Sequence, residues 1–311
     1  MARPEILARP LLFFLFALAA ECAANRVVQA KEDENDFGVL VMAHGGSPEW
    51  NQGVLSAIEP LQGQTPIEVA FGMADAVRLQ QAVHRLEARG VRRIAVVRLF
   101  VSGESWYERT KKILGLLPGA PARPDSAGHA HNAGHGAHSM EFWKIQTEAT
   151  FALSTQGLAE AEAMASVLLD RARTLSRDPE REDVLILAHG PGDDAENERW
   201  IAHIDARAEA IRDSLPFRRV RVMTLREDWP EKREQAELQI REFVEQASKN
   251  GGTAIVIPFR VHGFGPYKRV LEGLDYVADG RGLIPHPAIT RWIAEQIKTL
   301  QHGSFEARYE P

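Results

Sequence analysis

The sequence predicts an α/β protein built from two tandem copies of one unit, and three observations predict it. A short motif occurs twice, 145 residues apart: Val39-Leu-Val-Met-Ala-His44-Gly-Gly-Ser and Val184-Leu-Ile-Leu-Ala-His189-Gly-Pro-Gly. Two further apolar runs follow each copy in the same order. Ile67-Glu-Val-Ala-Phe71 answers to Val220-Arg-Val-Met-Thr224, and Arg93-Ile-Ala-Val-Val-Arg-Leu-Phe100 answers to Thr253-Ala-Ile-Val-Ile-Pro-Phe-Arg260, at offsets of 153 and 160. Between the runs, Ala74–Arg89 and Glu231–Lys249 carry the apolar spacing of amphipathic crossover helices.

Each element has a physical reason. A nearly continuous apolar run is what a parallel strand covered on both faces requires, so the runs ending on Ala-His-Gly read as central strands. The His then stands at the carboxyl end of a strand, where open α/β sheets place their chemistry. The first half resumes at Ala149-Thr-Phe-Ala-Leu153 and closes with a helix over Leu158–Leu175, before a polar linker at 176–182. The lobes are therefore expected over 36–175 and 183–302, and a chain of 311 residues suits two domains of ordinary size.

The amino end reads as a separate object. Arg3 and Arg9 flank the apolar core Leu11–Ala20, whose length fits a secretory signal and is too short for a spanning helix of roughly 20 residues. Small residues follow, with Val28-Gln-Ala30 and Cys22-Ala-Ala24 as candidate cleavage sites, so residues 1–30 are expected to be removed and the product to be periplasmic or otherwise exported, with no stable membrane insertion. Cys22 is the only cysteine. Cleavage after it leaves no thiol, so disulfides and thiolate ligands are excluded and any metal must be held by His and carboxylates.

Net charge is −6, and no basic face or charge run marks a nucleic-acid partner. Between the halves the composition shifts. Residues 118–140 read as an insertion in the first lobe, in which Gly128–His138 carries His129, His131, His135 and His138 separated by small residues. Such imidazoles are candidate ligands for a borderline divalent ion. The duller reading is a solvated loop with no ligand.

Strand, Ala-His-Gly, an apolar Val-x-Val-Ala-Phe strand and a Val-Val-x-Leu-Phe strand with a glycine turn, all duplicated, resemble the class II tetrapyrrole chelatases. The nearest pattern is the CbiX-type sirohydrochlorin cobaltochelatase of the long, duplicated form, whose closing segment Gly282-Leu-Ile-Pro-His286-Pro-Ala-Ile-Thr290 also resembles. The resemblance implies two flavodoxin-like lobes facing across a cleft, a tetrapyrrole partner, and insertion of a divalent metal without ATP. Cobalt is the favoured ion, with iron or nickel as alternatives, and cobalamin biosynthesis is the implied setting.

Insertion requires two pyrrole N–H protons to leave. A neutral imidazole serves both as the base and as a first metal ligand, and the glycine after it would let a flat ring approach the backbone. The catalytic and metal-ligating candidates are therefore His189, His262 and His44. The family's glutamate, two residues after the Phe of Val-Ala-Phe, falls on Met73, and its histidine after Leu-Phe falls on Trp106. In the second half these positions fall on Arg226, beside Glu227 and Asp228, and on Pro266, four residues after His262. His189 and His262 are thus the expected working pair.

Duller readings stand beside these. A strand-end His is often a core hydrogen-bonding residue, and Trp106 at a helix start is more often core than a stacking platform. Glu227 and Asp228 suit a solvated turn before Pro230. His286 between two prolines reads as a rigid turn residue, and His84, His203 and His302 as surface. A hydrolase is a poor reading, since no Gly-x-Ser-x-Gly elbow is present, and neither a dinucleotide fingerprint nor a phosphate loop follows a first strand. Two function classes remain: an exported chelatase, and a non-catalytic periplasmic tetrapyrrole or metal-binding protein on the same fold.

The signal reading has a direct test. Amino-terminal sequencing of the protein from fractionated cells is expected to begin between residues 25 and 31 in an exported fraction, and an intact Met1 on soluble cytoplasmic protein refutes it.

Overall fold

The computed structural model describes residues 36–124 and 140–309. The amino-terminal segment read above as a secretory signal and the four histidines His129, His131, His135 and His138 lie outside the described residues. In the first half β1 (Phe37–Ala43), α1 (Pro48–Ile58), β2 (Ile67–Phe71), α2 (Ala76–Glu87), β3 (Arg93–Leu99), α3 (Tyr107–Leu114), β4 (Thr150–Leu153) and α4 (Ala163–Leu175) follow one another. In the second half the order is β5 (Glu182–Ala188), α5 (Asp194–Ser214), β6 (Arg219–Thr224), α6 (Pro230–Lys249), β7 (Thr253–Phe259), α7 (Tyr267–Val270), β8 (Tyr276–Val277) and α8 (Pro287–Gln301).

The strands form two four-stranded sheets, ordered β2-β1-β3-β4 and β6-β5-β7-β8, with every pairing between them parallel. Registers show the duplication residue by residue. Ala43 pairs with Phe71 and Leu99, and Ala188 pairs with Thr224 and Phe259. These are the offsets seen in the sequence, so the two α/β lobes repeat one backbone plan. Every residue of the central strands β1 and β5 is buried, as helices on both faces demand.

Helix starts follow local chemistry. Ser47 accepts from the Trp50 N–H at 3.3 Å with Pro48 at the first position of α1, and Asp75 and Asp193 accept from Arg78 and Glu196 at 2.9 and 2.8 Å. The closing helix of the first half begins at Ala163 and not at Leu158. The Leu158 and Ala159 N–H groups are held instead by the Phe100 and Val101 carbonyls, at 2.9 and 2.8 Å, so tertiary pairing overrides helix propensity there.

The closing helices are exchanged. Helix α4 packs on α5 and β7 of the second lobe, whereas α8 packs on α1, β3 and β4 of the first. One apolar cluster therefore runs through both lobes, from Val39, Val41 and Val97 through Val167, Leu168, Ile289 and Ile293 to Val184, Ile186 and Ile255. Arg171 of α4 adds hydrogen bonds to the Gly282 and Pro285 carbonyls at 3.0 and 3.1 Å. His286 is a structural residue, as its proline flanks suggest. Its Nδ1 accepts from the Ala288 N–H at 3.1 Å and caps α8, while Nε2 faces Asp170 at 3.1 Å.

Where the 118–140 insertion leaves and rejoins the first lobe, its two ends meet. The Lys144 N–H donates to the Pro121 carbonyl at 2.8 Å, and the Arg123 guanidinium lies 5.3 Å over the Trp143 ring.

A shared core predicts shared stability. Trp292 of α8 is 2% exposed and donates to Gln156 at 2.9 Å, so Trp292→Ala is expected to cost about 3–5 kcal/mol. Denaturant unfolding followed by circular dichroism should show that loss in one transition embracing both lobes. Two separate transitions, one unchanged, would refute the common core.

Candidate active site

His44 and His189 stand at equivalent places, one residue past the ends of β1 and β5, and take the same pose. In each, Nδ1 faces the carbonyl of the next glycine, at 2.8 Å to Gly45 and 2.7 Å to Gly190. A carbonyl only accepts, so Nδ1 is the donor and Nε2 is the nitrogen turned outward. Gly45 and Gly190 have φ of 79° and 78°, the left-handed region that favours glycine. A Cβ would lie 3.0 Å from the Phe71 Cβ in one turn and 2.6 Å from the Thr224 Cβ in the other. The turn and its packing thus require the glycine by themselves.

Around that shared pose the lobes differ. His44 is exposed beside Trp50, with ring centroids 6.4 Å apart. His189 is half-buried, with Nε2 3.0 Å from Asp228 and 3.9 Å from Glu227. Glu227 in turn ion-pairs with Arg260, whose guanidinium lies 5.6 Å over the buried Tyr267 ring. Burial works against the Arg260 charge, but Tyr267 and Glu227 outweigh it and raise its pKa above the usual value. Burial also raises the pKa of the Tyr267 hydroxyl. Because Nδ1 is already a donor, a hydrogen bond from Nε2 to Asp228 forms when the ring is protonated. The arrangement suits an imidazole that takes up a proton and passes it to an exposed carboxylate.

The family's glutamate position is preserved as backbone. Met73 and Arg226 both sit in the left-handed region, at φ of 61° and 57°, two residues past the β2 and β6 ends. Met73 is partly buried and packs on the cluster of Leu40, Met42 and Val96, and Trp106 packs on the same cluster. Trp106 is therefore core-packed, and apolar contact replaces both family side chains in the first lobe. Buried Arg98 fixes that loop through the Gly103 and Ser154 carbonyls at 2.9 and 3.0 Å, and burial lowers its pKa to about 10. Arg226 turns away to hold the Gly192 carbonyl and Asp194, at 2.7 and 2.8 Å. Lys232 and Arg226 bonds to the Asp194 carboxylate lower its pKa.

His262 lies where the lobes touch. A Cβ on Gly53 of α1 would come within 2.8 Å of the His262 ring. A second bridge joins Arg199 of α5 to Glu104 of the first lobe through two bonds of 2.9 and 2.8 Å. His84, His203 and His302 are exposed, with His203 3.5 Å from Glu160. Among the described residues, no three or more His, Cys, Asp or Glu side chains form a ready-made metal cluster.

Residues 38–174 match the model of the CbiX family. The first half is a CbiX-family domain. Solved structures similar to the whole chain include SirB from Bacillus subtilis with Fe3+, at 12% identity over 86% of this chain and 96% of that one, with a TM-score of 0.58. A second is the sirohydrochlorin chelatase SirB from Bacillus subtilis subspecies spizizenii in complex with cobalt, at 11% identity, 86% and 95% coverage and a TM-score of 0.54. A third is DR2241 from Deinococcus radiodurans, a multi-domain protein with structural similarity to chelatases, at 20% identity, 89% coverage of this chain and a TM-score of 0.52. The chain spans 56% of the length of that protein. No curated protein matches the chain in sequence.

The CbiX resemblance directed attention to the histidines and missed Arg260, Tyr267 and Trp229. The sequence signal for Arg260 and Tyr267 was their position in the second copy, at the end of a strand and the start of a short helix. Trp229 stands directly before Pro230, where a capping residue is expected.

Gly190 offers a clean probe of the His189 pose. Gly190→Ala is expected to lose about 1–2 kcal/mol from the left-handed turn alone, with the contact to Thr224 adding to it. Urea midpoints should report the loss, and the His189 ring protons should shift by NMR. An unchanged midpoint and spectrum would refute the constraint.

Proposed function

We propose that this protein is a metallochelatase that inserts a divalent ion into sirohydrochlorin or a related ring, with the working site in the second lobe. The single observation that carries the reading is the His189 pose, with Nδ1 committed to Gly190 and Nε2 directed toward Asp228 and Glu227. The CbiX domain and the chelatase-like fold support the class of reaction. The metal enters as substrate, and two ring protons leave for each ion inserted. His189 accepts a proton through Nε2, and Asp228, 71% exposed, hands it to solvent. Glu227, held by Arg260, presents a carboxylate to the arriving cation, and His262 supplies an imidazole from the lobe contact.

Imidazole and carboxylate donors without thiolate suit a borderline divalent ion, for which cobalt is favoured and iron or nickel are alternatives. ATP has no place in this reading. The arginine-flanked Leu11–Ala20 core supports an exported protein, and the histidines at 129, 131, 135 and 138 are assigned to gathering metal. A carrier is the second reading, favoured by the apolar Met73 and Trp106 at the first-lobe positions of the family's catalytic pair.

His189→Ala is expected to slow metal insertion by about 10²- to 10⁴-fold while leaving ring binding largely intact. His262→Ala should act in the same direction, and His44→Ala should cost less. Visible absorption during cobalt addition to the sirohydrochlorin complex reads the rate. A larger loss for His44→Ala would move the site to the first lobe. No acceleration by wild type over free solution with cobalt, iron or nickel would leave the carrier reading in its place.

A further inference from the structure

Among the described residues the exposed large apolar side chains are Trp229, Leu238 and Tyr309, and of these Trp229, at 37% exposure, borders His189. Its local setting breaks two rules of sequence economy. It occupies the N-cap of α6 without any side-chain capping bond, where Ser, Thr, Asp or Asn would bond a free N–H. The indole also requires a glycine beneath it, since a Cβ on Gly192 would lie 2.2 Å from its Nε1. An indole retained at the cost of a cap and of a neighbouring side chain, yet left open to solvent, has a face available to a ligand.

The angle fits a flat ligand. The planes of Trp229 and His189 stand at 85°, with centroids 6.2 Å apart. The Nε2 lone pair lies in the imidazole plane, so it can point at the face of a flat ring only if that ring is perpendicular to the imidazole. A macrocycle lying parallel to Trp229 meets that condition. In the first lobe the corresponding angle, between Trp50 and His44, is 54°, which tilts the lone pair off the ring normal.

We infer that Trp229 is the stacking platform that receives the flat conjugated macrocycle and sets its plane for His189. This rests on the chelatase reading and specifies which surface of the site binds the ring. The test is titration of the full chain with metal-free sirohydrochlorin, followed by ring absorption, for wild type, Trp229→Leu, Trp229→Phe and Trp50→Leu. Loss of the aromatic face in Trp229→Leu should raise Kd by about 5- to 150-fold, the span of single aromatic stacks on nucleobases. Trp229→Phe should retain most of the affinity and Trp50→Leu all of it, while cobalt binding alone, followed by calorimetry, stays unchanged in every variant. The emission by which wild type exceeds Trp229→Phe should be quenched as the ring binds. Wild-type affinity in Trp229→Leu, or no quenching of that emission, overturns the platform while leaving the chelatase reading standing. If wild type binds no sirohydrochlorin, the chelatase reading itself fails.

Discussion

The exchange of the closing helices is the constraint from which the rest of the structure follows. Each sheet has one face covered by a helix donated from the other half, so neither half can bury its own apolar face alone. The consequence is geometric as much as energetic. Strand-end loops on two sheets become fixed relative to one another. The Arg199–Glu104 bridge and the His262–Gly53 contact then pin the loop ends of the same body.

Within that frame the two copies share a backbone and divide the chemistry. The left-handed residue after the second strand of each lobe is a property of the turn, and its side chain is free to vary, from Met73 on an apolar cluster to Arg226 on carbonyls. The first lobe spends these positions on packing. The second places Asp228 at 3.0 Å and Glu227 at 3.9 Å from its histidine, with Glu227 ion-paired to Arg260. An imidazole beside carboxylates can attract a cation and release a proton, which is what the proposed chelation requires.

Much of this was legible before any coordinates. Strands betray themselves by continuous apolar runs, so the duplication, the sheet membership and the equivalence of His44 and His189 could be read from spacing alone. What could not be read has physical reasons. The exchange of α4 and α8 depends on which apolar stripe meets which sheet, and helical periodicity marks a stripe without naming its partner. The delayed start of α4 arises from hydrogen bonds to Phe100 and Val101, which are distant in sequence. Glycine after each histidine suggested room for a ligand, whereas its φ and the Thr224 and Phe71 contacts show a tight turn. Arg260 and Tyr267 escaped notice because an ion pair and a ring stacked under it leave no periodic trace.

The paired ends of the 118–140 insertion bear on how this chain could diversify. With Pro121 and Lys144 already hydrogen-bonded, the lobe holds together the two ends of any loop inserted between them. Closing such a loop becomes harder only logarithmically with its length, by about 0.6 kcal/mol for each doubling. Residues can therefore be gained, lost or exchanged there with little penalty to the sheet, and those ends belong to the lobe whose own chemical positions are filled by Met73 and Trp106. A duplicated protein that concentrates its reactive groups in one copy keeps the other as ground on which new binding segments can be tried.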